Sequence, residues 1–172
     1  MSPNPSAPIT FTELPDGSTE LVATQTVALP LDQVFPFFAD AQNLEALTPP
    51  WLHFRIVTPT PIDMRPGTLI DYRLRVHGLP LRWQSEITAW DPPHRFCDEQ
   101  RRGPYRLWKH THEFTEEQSE ERLRVTHMTD RVIYAVPGGR LVDRLFVRRD
   151  LKRIFGHRQQ ALTRLLADQS SA

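Results

Sequence analysis

Cysteine is nearly absent from this chain of 172 residues, whose single thiol is that of Cys97. One cysteine cannot form an internal disulfide, so the fold has no covalent cross-link. No stretch approaches the roughly 20 consecutive apolar residues that span a bilayer. The N-terminus also lacks a basic segment followed by an apolar run, which would mark a signal peptide. These absences favour a cytoplasmic protein that buries a hydrophobic core of its own.

A surplus of either charge is also missing, because 21 Lys and Arg residues balance 21 Asp and Glu residues. The overall charge therefore gives no reason to expect a nucleic acid as a partner. Locally, eight Arg or Lys residues occur between Arg140 and Arg164, and they allow weak contact with an anionic membrane surface. We expect these arginines to form the solvated face of a helix and to pair with acidic loops such as "TEEQSEE" (115–121).

The length of the chain suits one domain, since it can bury a single core but leaves no room for a second. The first 18 residues contain four prolines and little periodicity. Such a segment is typical of a mobile tail. We therefore predict a mobile N-terminal tail over residues 1–18 and a single ligand-binding domain over residues 19–168.

The apolar pattern predicts an α+β fold. The Val- and Thr-rich segment "TELVATQTVAL" (19–29) indicates a first strand. Helical spacing over residues 30–49 predicts two short helices, of which the first is kinked at Pro36 or starts near it. Alternating segments from residue 54 to residue 134 predict about five or six antiparallel strands. Apolar residues at i, i+3, i+4 and i+7 then predict one long helix over residues 140–167.

This order of elements has a consequence for function. A curved antiparallel sheet with one apolar face must cover that face, and the terminal helix is the only element long enough to do so. Sheet and helix then enclose a space. Where large side chains do not fill it, this space becomes a ligand cavity.

Two histidines stand two residues apart in "KHTHEF" (109–114). Residues i and i+2 of a strand share a face. One face therefore consists of Trp108, His110, His112 and Phe114. The opposite face is mostly polar, which predicts that both histidines point into the protein.

A metal site is one possible role for these histidines. A hairpin that closes symmetrically about Gln118 and Ser119 would place His127 opposite His110 and complete a three-histidine zinc site. However, the apolar positions of the second strand change phase near His127, which indicates a bulge that turns this side chain away. We therefore expect no metal and no other cofactor.

Acid–base catalysis is a second possible role. Asp130 falls on the inward face and lies diagonally near His110. Desolvation would raise the pKa of Asp130, or pairing with an imidazole would keep its carboxylate charged. Either state could support proton transfer by His110, His112 and Asp130 as catalytic residues. A buried network with a purely structural purpose is the alternative.

Aromatic and apolar side chains complete the candidate ligand site. Tyr72, Trp83 and Trp108 combine an apolar body with a polar tip. Met128 shares the predicted inward face with Asp130, and Phe155 lies in the apolar stripe of the last helix. We expect these residues to bind the ligand, although ordinary core packing would also explain their positions.

Three longer segments carry a family resemblance. They are "PLDQVFPFFADAQNLEALTPPWLHFRI" (30–56), "MRPGTLIDYRLRVHGLPLRWQSEITAWDPPHRFCDEQRRGPYRLWKHTHEF" (64–114) and "THMTDRVIYAVPGG" (126–139). The first is similar to a pair of short helices after strand one, the second to strands joined by PG, DPP and GP turns with a W-x-H-x-H-x-F pattern, and the third to a last strand. In these features, over about residues 20–166, the chain resembles a bacterial branch of the START, polyketide-cyclase and Bet v allergen superfamily, the helix-grip proteins also called SRPBCC.

The resemblance implies a helix-grip fold, in which a curved antiparallel β-sheet wraps around a long C-terminal α-helix. It also implies binding of a small, largely hydrophobic molecule such as a lipid, a quinone or a polyketide. The superfamily includes lipid carriers, coenzyme Q-binding proteins and polyketide aromatases and cyclases. An aromatase or cyclase-type enzyme that uses His110, His112 and Asp130 is therefore the second expectation. An accessory protein that presents its surface to a partner complex is the third.

Overall fold

A computed structural model describes residues 8–119 and 123–169 of the chain. Its strands and helices are, in order, β1 (Thr10–Glu13), β2 (Thr19–Val27), α1 (Leu31–Ala39), α2 (Asn43–Leu47), β3 (Arg55–Ile56), β4 (Leu69–Val76), β5 (Leu79–Asp91), β6 (Arg95–Arg102), β7 (Leu107–Gln118), β8 (Arg124–Ala135), α3 (Gly139–Val142) and α4 (Arg148–Gln169). A 3₁₀ turn (Pro50–Leu52) precedes β3, and a π-helical turn (Asp143–Val147) joins α3 to α4.

Eight strands within the described residues form one curved antiparallel sheet in the order β1-β2-β8-β7-β6-β5-β4-β3. Strands β4 to β8 follow one another as a meander, and β2 pairs with β8. The long helix α4 packs on the inner face of this sheet, where Phe155 and Leu162 are buried. The predicted α+β helix-grip fold is therefore confirmed, including the two short helices after the strand at residues 19–27.

Alternating side chains decide which face of the sheet is buried. On β4, Ile70 and Tyr72 are buried, whereas Asp71 and Arg73 are exposed. The buried positions face the inside of the protein, and the charged positions face solvent. The period-two pattern that predicts this strand therefore also predicts its orientation.

Helix α1 covers one end of the inner face with aromatic side chains. The ring of Phe35 lies with its centroid 6.5 Å from that of Phe96 and 5.5 Å from that of Phe114. Pro36 is exposed on the other side of the helix, where the carbonyl that it leaves unpaired can reach water. The helix begins at Leu31, so the alternative expectation of a start near Pro36 is wrong.

Part of the predicted N-terminal tail is a strand. Residues 10–13 pair with residues 19–22 of β2. Glu13, at the end of β1, accepts two hydrogen bonds of 2.7 Å from Arg144 and one of 2.8 Å from Arg148. The tail prediction is therefore wrong for residues 10–13. A strand of four residues is too short to show a periodic pattern in the sequence, and the two arginines that hold its end lie far away along the chain. Residues 1–7 lie outside the described part of the chain.

The glutamates of the segment 115–121 do not pair with the basic helix in the described residues. Glu116 contacts Arg124 at 2.9 Å, and Glu117 contacts His127 at 3.2 Å. Both glutamates belong to β7, so these two partners lie on the paired strand β8. The predicted pairing with the C-terminal arginines is therefore wrong for Glu116 and Glu117, and Glu120 and Glu121 lie outside the described part of the chain.

A π-helical turn interrupts the predicted single C-terminal helix. Asp143, which opens this turn, is 3% exposed. Its carboxylate accepts hydrogen bonds from the hydroxyl groups of Tyr134 (2.7 Å) and Thr19 (2.9 Å) and from the guanidinium of Arg148 (2.8 Å). The turn thus lets one buried carboxylate join the last helix to β2 and β8. Apolar periodicity alone does not reveal it, since the side-chain pattern continues in α4.

Replacing Glu13 by glutamine should lower stability in a pH-dependent way. Hydrogen bonds from Arg144, only partly opposed by desolvation, and further bonds from Arg148 lower the pKa of Glu13 from 4.5 to about 2. Because the folded pKa lies below the unfolded one, this stabilisation is fully present above pH 4.5 and is lost as the pH falls toward about 2. We expect Glu13→Gln to melt at a lower temperature than the wild type at neutral pH.

Thermal unfolding followed by circular dichroism at several pH values measures this difference. The gap between the two proteins should narrow steadily as the pH falls below 4.5. The control is Asp63→Asn, whose parent side chain is 78% exposed and should melt like the wild type at every pH. A gap that is the same at neutral and acidic pH would contradict the role given to Glu13.

Candidate functional site

A cavity of about 700 Å³ lies between the inner face of the sheet and α4. Four of the predicted ligand-binding residues, Tyr72, Trp83, Trp108 and Phe155, lie on its wall. Most of the wall is aromatic or aliphatic and comes from α1, α2, β4, β5 and α4. Its volume is in the range of pockets that enclose small molecules. The space expected between sheet and helix is therefore open.

Met128 does not line this cavity. It is 6% exposed and belongs to the core cluster under α1. The strand register places it opposite Phe114, and it borders a small separate void of about 10 Å³. Its prediction as a ligand-binding residue is therefore wrong, because α1 fills the space above it.

The β7–β8 hairpin closes later than the symmetric arrangement considered for the sequence. The amide of Ser119 donates to the carbonyl of Leu123 at 2.8 Å. His112 consequently lies opposite Asp130. The register between residues 107–118 and residues 124–135 is unbroken, so the predicted bulge is wrong. The inward phase of β8 begins at Thr126, which is fully buried.

His127 lies on the face of the sheet opposite to His110. Its partner across the hairpin is Thr115, and its ring contacts the hydroxyl of Thr26 at 2.8 Å and the carboxylate of Glu117 at 3.2 Å. The three-histidine cluster therefore does not form. As expected, His127 turns away, but the hairpin register causes this and not a bulge.

His110 and His112 point inward, as predicted, and are 8% and 5% exposed. Their ring centroids are 3.8 Å apart. The imidazole of His112 stacks on the ring of Phe96 at 4.1 Å with an angle of 19° between the planes. Both imidazoles lie on the wall of the cavity. Aromatic packing therefore holds their rings in fixed orientations.

Asp130 connects both imidazoles to α4. Its Oδ1 lies 3.1 Å from Nε2 of His110, with which it forms a hydrogen bond, and 2.7 Å from Nδ1 of His112. The second contact lacks the direction of a hydrogen bond, and within the described residues Nδ1 of His112 has no hydrogen-bond partner. Oδ2 of Asp130 accepts a hydrogen bond of 3.1 Å from Nε of Arg158. Asp130 is not on the cavity wall, so it contacts the site through the histidines.

Asp98 is a member of the site that the sequence reasoning missed. It lies directly opposite His110 in the β6–β7 pair. Its Oδ2 accepts a hydrogen bond of 3.0 Å from the hydroxyl of Ser85, which accepts one of 3.0 Å from the indole N–H of Trp83. Its Oδ1 lies 3.8 Å from Nδ1 of His110 and 3.7 Å from Nε2 of His112. Two carboxylates therefore flank the imidazole pair.

Two signals in the sequence could have identified Asp98 and Arg158. In "FCDEQ" (96–100), the period of two places Asp98 on the same face as the buried Phe96. Arg158 occupies a position in the apolar stripe of the last helix. A charged residue in such a place requires a buried partner. The identity of the partner depends on strand register, which these local patterns do not contain.

Both carboxylates of the site are ionised near neutral pH. Burial opposes the ionisation of Asp130, but the charge of Arg158 and the two imidazoles hold its pKa well below the usual range. Burial also opposes the ionisation of Asp98, but His112 and His110 lower its pKa. Of the two states considered for Asp130, the charged and paired state is therefore the one that forms.

The two imidazoles differ in their affinity for a proton. Burial lowers the pKa of His110, and the neighbouring His112 lowers it further. Burial acts in the same direction on His112, but the charge of Asp130 and the contacts with Asp130 and Asp98 together outweigh it and raise the pKa above the ordinary value. His112 is therefore the imidazole with the greater affinity for a proton.

The rim of the cavity lies between the β4–β5 turn and α4. Exposed residues that also line the cavity mark this rim, and they include Trp51, His77 and Arg153. Nε2 of His77 lies 2.7 Å from Oδ2 of Asp150 on α4. One hydrogen bond therefore bridges the turn and the helix beside the opening.

The fold and the site define a helix-grip protein with a cavity for a small molecule. The family described as "Polyketide cyclase / dehydrase and lipid transport" matches residues 18–167, and the chain belongs to this family. Membership supports a fold that binds hydrophobic ligands. No curated protein matches the chain. Within the described residues, no helix has the length and apolar character needed to cross a membrane.

Solved structures with the same fold come from several sources. Protein Ms6760 from Mycobacterium smegmatis is 22% identical with a TM-score of 0.68, over 94% of this chain and 99% of that chain. TTHA0849 from Thermus thermophilus is 21% identical with a TM-score of 0.61, over 87% and 98%. Ara h 8.0201 is 16% identical with a TM-score of 0.63, over 88% and 99%. At these identities the structures establish the fold alone. The family match over residues 18–167 confirms the resemblance to the START, polyketide-cyclase and Bet v superfamily.

Removing the carboxylate of Asp130 should destabilise the fold strongly. The substitution Asp130→Ala leaves Arg158, whose side chain is 11% exposed, without its ion-pair partner in the core. Breaking a buried pair in this way costs about 3–5 kcal/mol. Urea unfolding measures the loss, and Asp63→Ala, which breaks an exposed pair with Arg65, should cost less than about 1 kcal/mol. Equal losses in the two variants would contradict a central role for Asp130.

Proposed function

We propose that the protein binds a small, largely apolar molecule with one hydroxyl or carbonyl group in the cavity between the sheet and α4. The observation that carries this proposal is the division of the cavity wall into two parts. Most of the wall is aromatic or aliphatic, and a compact polar cluster contains Ser85, Asp98, His110 and His112. Pockets of this composition bind by apolar burial and select by a few polar contacts.

The apolar wall supplies most of the binding free energy. Burial of apolar surface contributes about 25 cal/mol per Å², so a ligand that buries roughly 300 Å² gains about 7 kcal/mol before the loss of its own freedom. Trp83 and Trp108 lie edge to face with centroids 5.3 Å apart. Such a rigid wall loses little side-chain entropy when a ligand binds.

The polar cluster supplies selectivity. Oδ1 of Asp98 lies beyond hydrogen-bond distance from the nearest nitrogens of His110 and His112. A ligand hydroxyl placed among these atoms donates to Asp98 and accepts from an N–H of the His112 imidazole. Lipids, quinones and polyketides all combine an apolar body with such oxygen atoms, and family membership supports a hydrophobic ligand of this kind.

Catalysis is the second candidate function, and it rests on the access of His110 and His112 to the cavity. Imidazole nitrogens beside the polar group of a ligand suit proton transfer in a ring closure or a dehydration. Asp130 would then act as a positioning residue, since it reaches the cavity only through the histidines. Turnover of a polyketide-like substrate that is lost in His110→Ala, while binding persists, would distinguish an enzyme from a carrier.

A tryptophan inside the cavity should block ligand binding. Leu74 of β4 lines the cavity, and Leu69 of the same strand is 45% exposed. We expect Leu74→Trp to weaken binding of an environment-sensitive fluorescent fatty acid at least about tenfold, because about 1.4 kcal/mol of lost contact has this effect. Leu69→Trp, the matched control, should bind as the wild type does. If both variants bind normally, the ligand site lies elsewhere.

The polar cluster should distinguish an aromatic alcohol from its deoxy analogue. A hydrogen bond to a charged group contributes about 1.5–3 kcal/mol, so the metal-free wild type should bind the alcohol at least about tenfold more tightly. His112→Phe removes the imidazole donor and should reduce this preference, while the hydrogen bond to Asp98 and apolar binding persist. Isothermal titration calorimetry measures both affinities, and thermal unfolding checks that the variant is folded. A wild type without preference would disprove the selective role of the cluster.

A further inference from the structure

Three donor atoms in the polar cluster face one another without mutual hydrogen bonds. Oδ1 of Asp98 lies 3.8 Å from Nδ1 of His110 and 3.7 Å from Nε2 of His112. All three atoms lie within 4.8 Å of one another. We propose that Asp98, His110 and His112 bind one first-row divalent transition-metal ion, of which Zn²⁺ is the representative.

The spacing of the donors suits such an ion. Ligands roughly 2.0–2.2 Å from zinc at a tetrahedral angle lie roughly 3.3–3.6 Å from one another. The distances of 3.7 and 3.8 Å are only slightly longer, so small side-chain rotations bring the donors to an ion. A network with only a structural purpose would instead close Oδ1 of Asp98 onto one imidazole at hydrogen-bond distance.

The other polar atoms of these side chains are already held in place. The hydroxyl of Ser85 donates to Oδ2 of Asp98. Oδ1 of Asp130 lies 3.1 Å from Nε2 of His110 and 2.7 Å from Nδ1 of His112. Metal-binding histidines usually donate their second N–H to a carboxylate in this way, which fixes the tautomer and the ring. One carboxylate here lies beside both imidazoles, and its hydrogen bond with His110 is already formed.

Nδ1 of His112 supports this assignment independently. It is a buried nitrogen without a hydrogen-bond partner among the described residues, in a side chain that is 5% exposed. A metal on Nε2 requires the remaining proton on Nδ1, and Oδ1 of Asp130 lies at the right distance to accept it. With the ion on Nε2, Nδ1 would carry the proton and could donate it to Oδ1 after a small rotation of the ring.

The chemistry of the donors selects the class of metal. Two imidazoles and one carboxylate suit zinc and its neighbours in the first transition row, whereas calcium and magnesium prefer oxygen ligands. All three side chains line the cavity. The site therefore has three protein ligands with the remaining coordination position toward the cavity, which is the arrangement of zinc sites that act on a substrate.

Metal titration of the full-length protein tests the proposal. After removal of metals with a chelator, Zn²⁺ is titrated by calorimetry and Co²⁺ by its visible absorption spectrum. We expect one ion per chain and a Co²⁺ spectrum typical of low coordination number. Asp98→Asn and His112→Gln should each weaken Zn²⁺ binding at least about 100-fold, and His127→Gln, on the same hairpin but outside the site, should leave it unchanged.

Asp130→Asn tests the positioning of the ligands. Loss of an outer carboxylate weakens metal binding about 10–100-fold, while the ratio of one ion per chain should persist. Circular dichroism shows which variants are folded. If a variant is not folded, X-ray absorption of the Zn²⁺-loaded wild type tests the ligand assignment instead. We expect this spectrum to show two imidazole ligands.

Three results would overturn the metal site. They are an absence of Zn²⁺ and Co²⁺ binding by the wild type, equal affinities of Asp98→Asn and His127→Gln in folded proteins, and an X-ray absorption spectrum without imidazole ligands. The binding of the apolar probe is measured on the metal-free protein, so the proposed function stands or fails separately.

Discussion

One buried ion pair determines how the sheet and the last helix meet. Oδ2 of Asp130 on β8 accepts a hydrogen bond from Arg158 on α4, while Oδ1 contacts the imidazoles of β7. Taking these charges out of water is costly, so each depends on its partners. This dependence fixes the rotation of α4 over the sheet and the orientation of His110 and His112. The polar part of the cavity wall is therefore a product of the same contacts that position the helix.

Two clusters of packed side chains flank the cavity, and the space between them stays open. Helix α1 and the end of α4 pack around Phe35 and Phe114 at one end, and Tyr134 and Leu151 belong to a second core cluster. Between these clusters, the ion pair between Arg158 and Asp130 holds α4 in place. If α4 moved closer to the sheet, it would bury the polar cluster further. Hydrophobic collapse is thus opposed by the desolvation of charge. An open space beside polar groups is the physical basis of both the proposed ligand binding and the proposed metal site.

Local patterns in the sequence predict much of this structure. Periods of two and of helical spacing identify the strands, the helices, and the inward direction of His110 and His112. These periods do not predict a residue's neighbours where the neighbours depend on pairing between distant segments. The position of Asp98 beside the histidines and the outward turn of His127 both follow from strand register, which depends on the whole hairpin. Met128 faces inward, as predicted, but the helix that covers it excludes it from the cavity.

The hydrogen bond between His77 and Asp150 lies at the rim of the cavity, beside its opening. His77 has a side chain that is 70% exposed and a left-handed backbone with a φ of 51°, a region that only His53 shares among the described non-glycine residues. An exposed pair of this kind contributes at most about 1 kcal/mol, so thermal motion opens and closes it readily. For the proposed ligand, contacts at this rim would affect the rates of entry and exit, whereas the aromatic wall would supply most of the binding free energy.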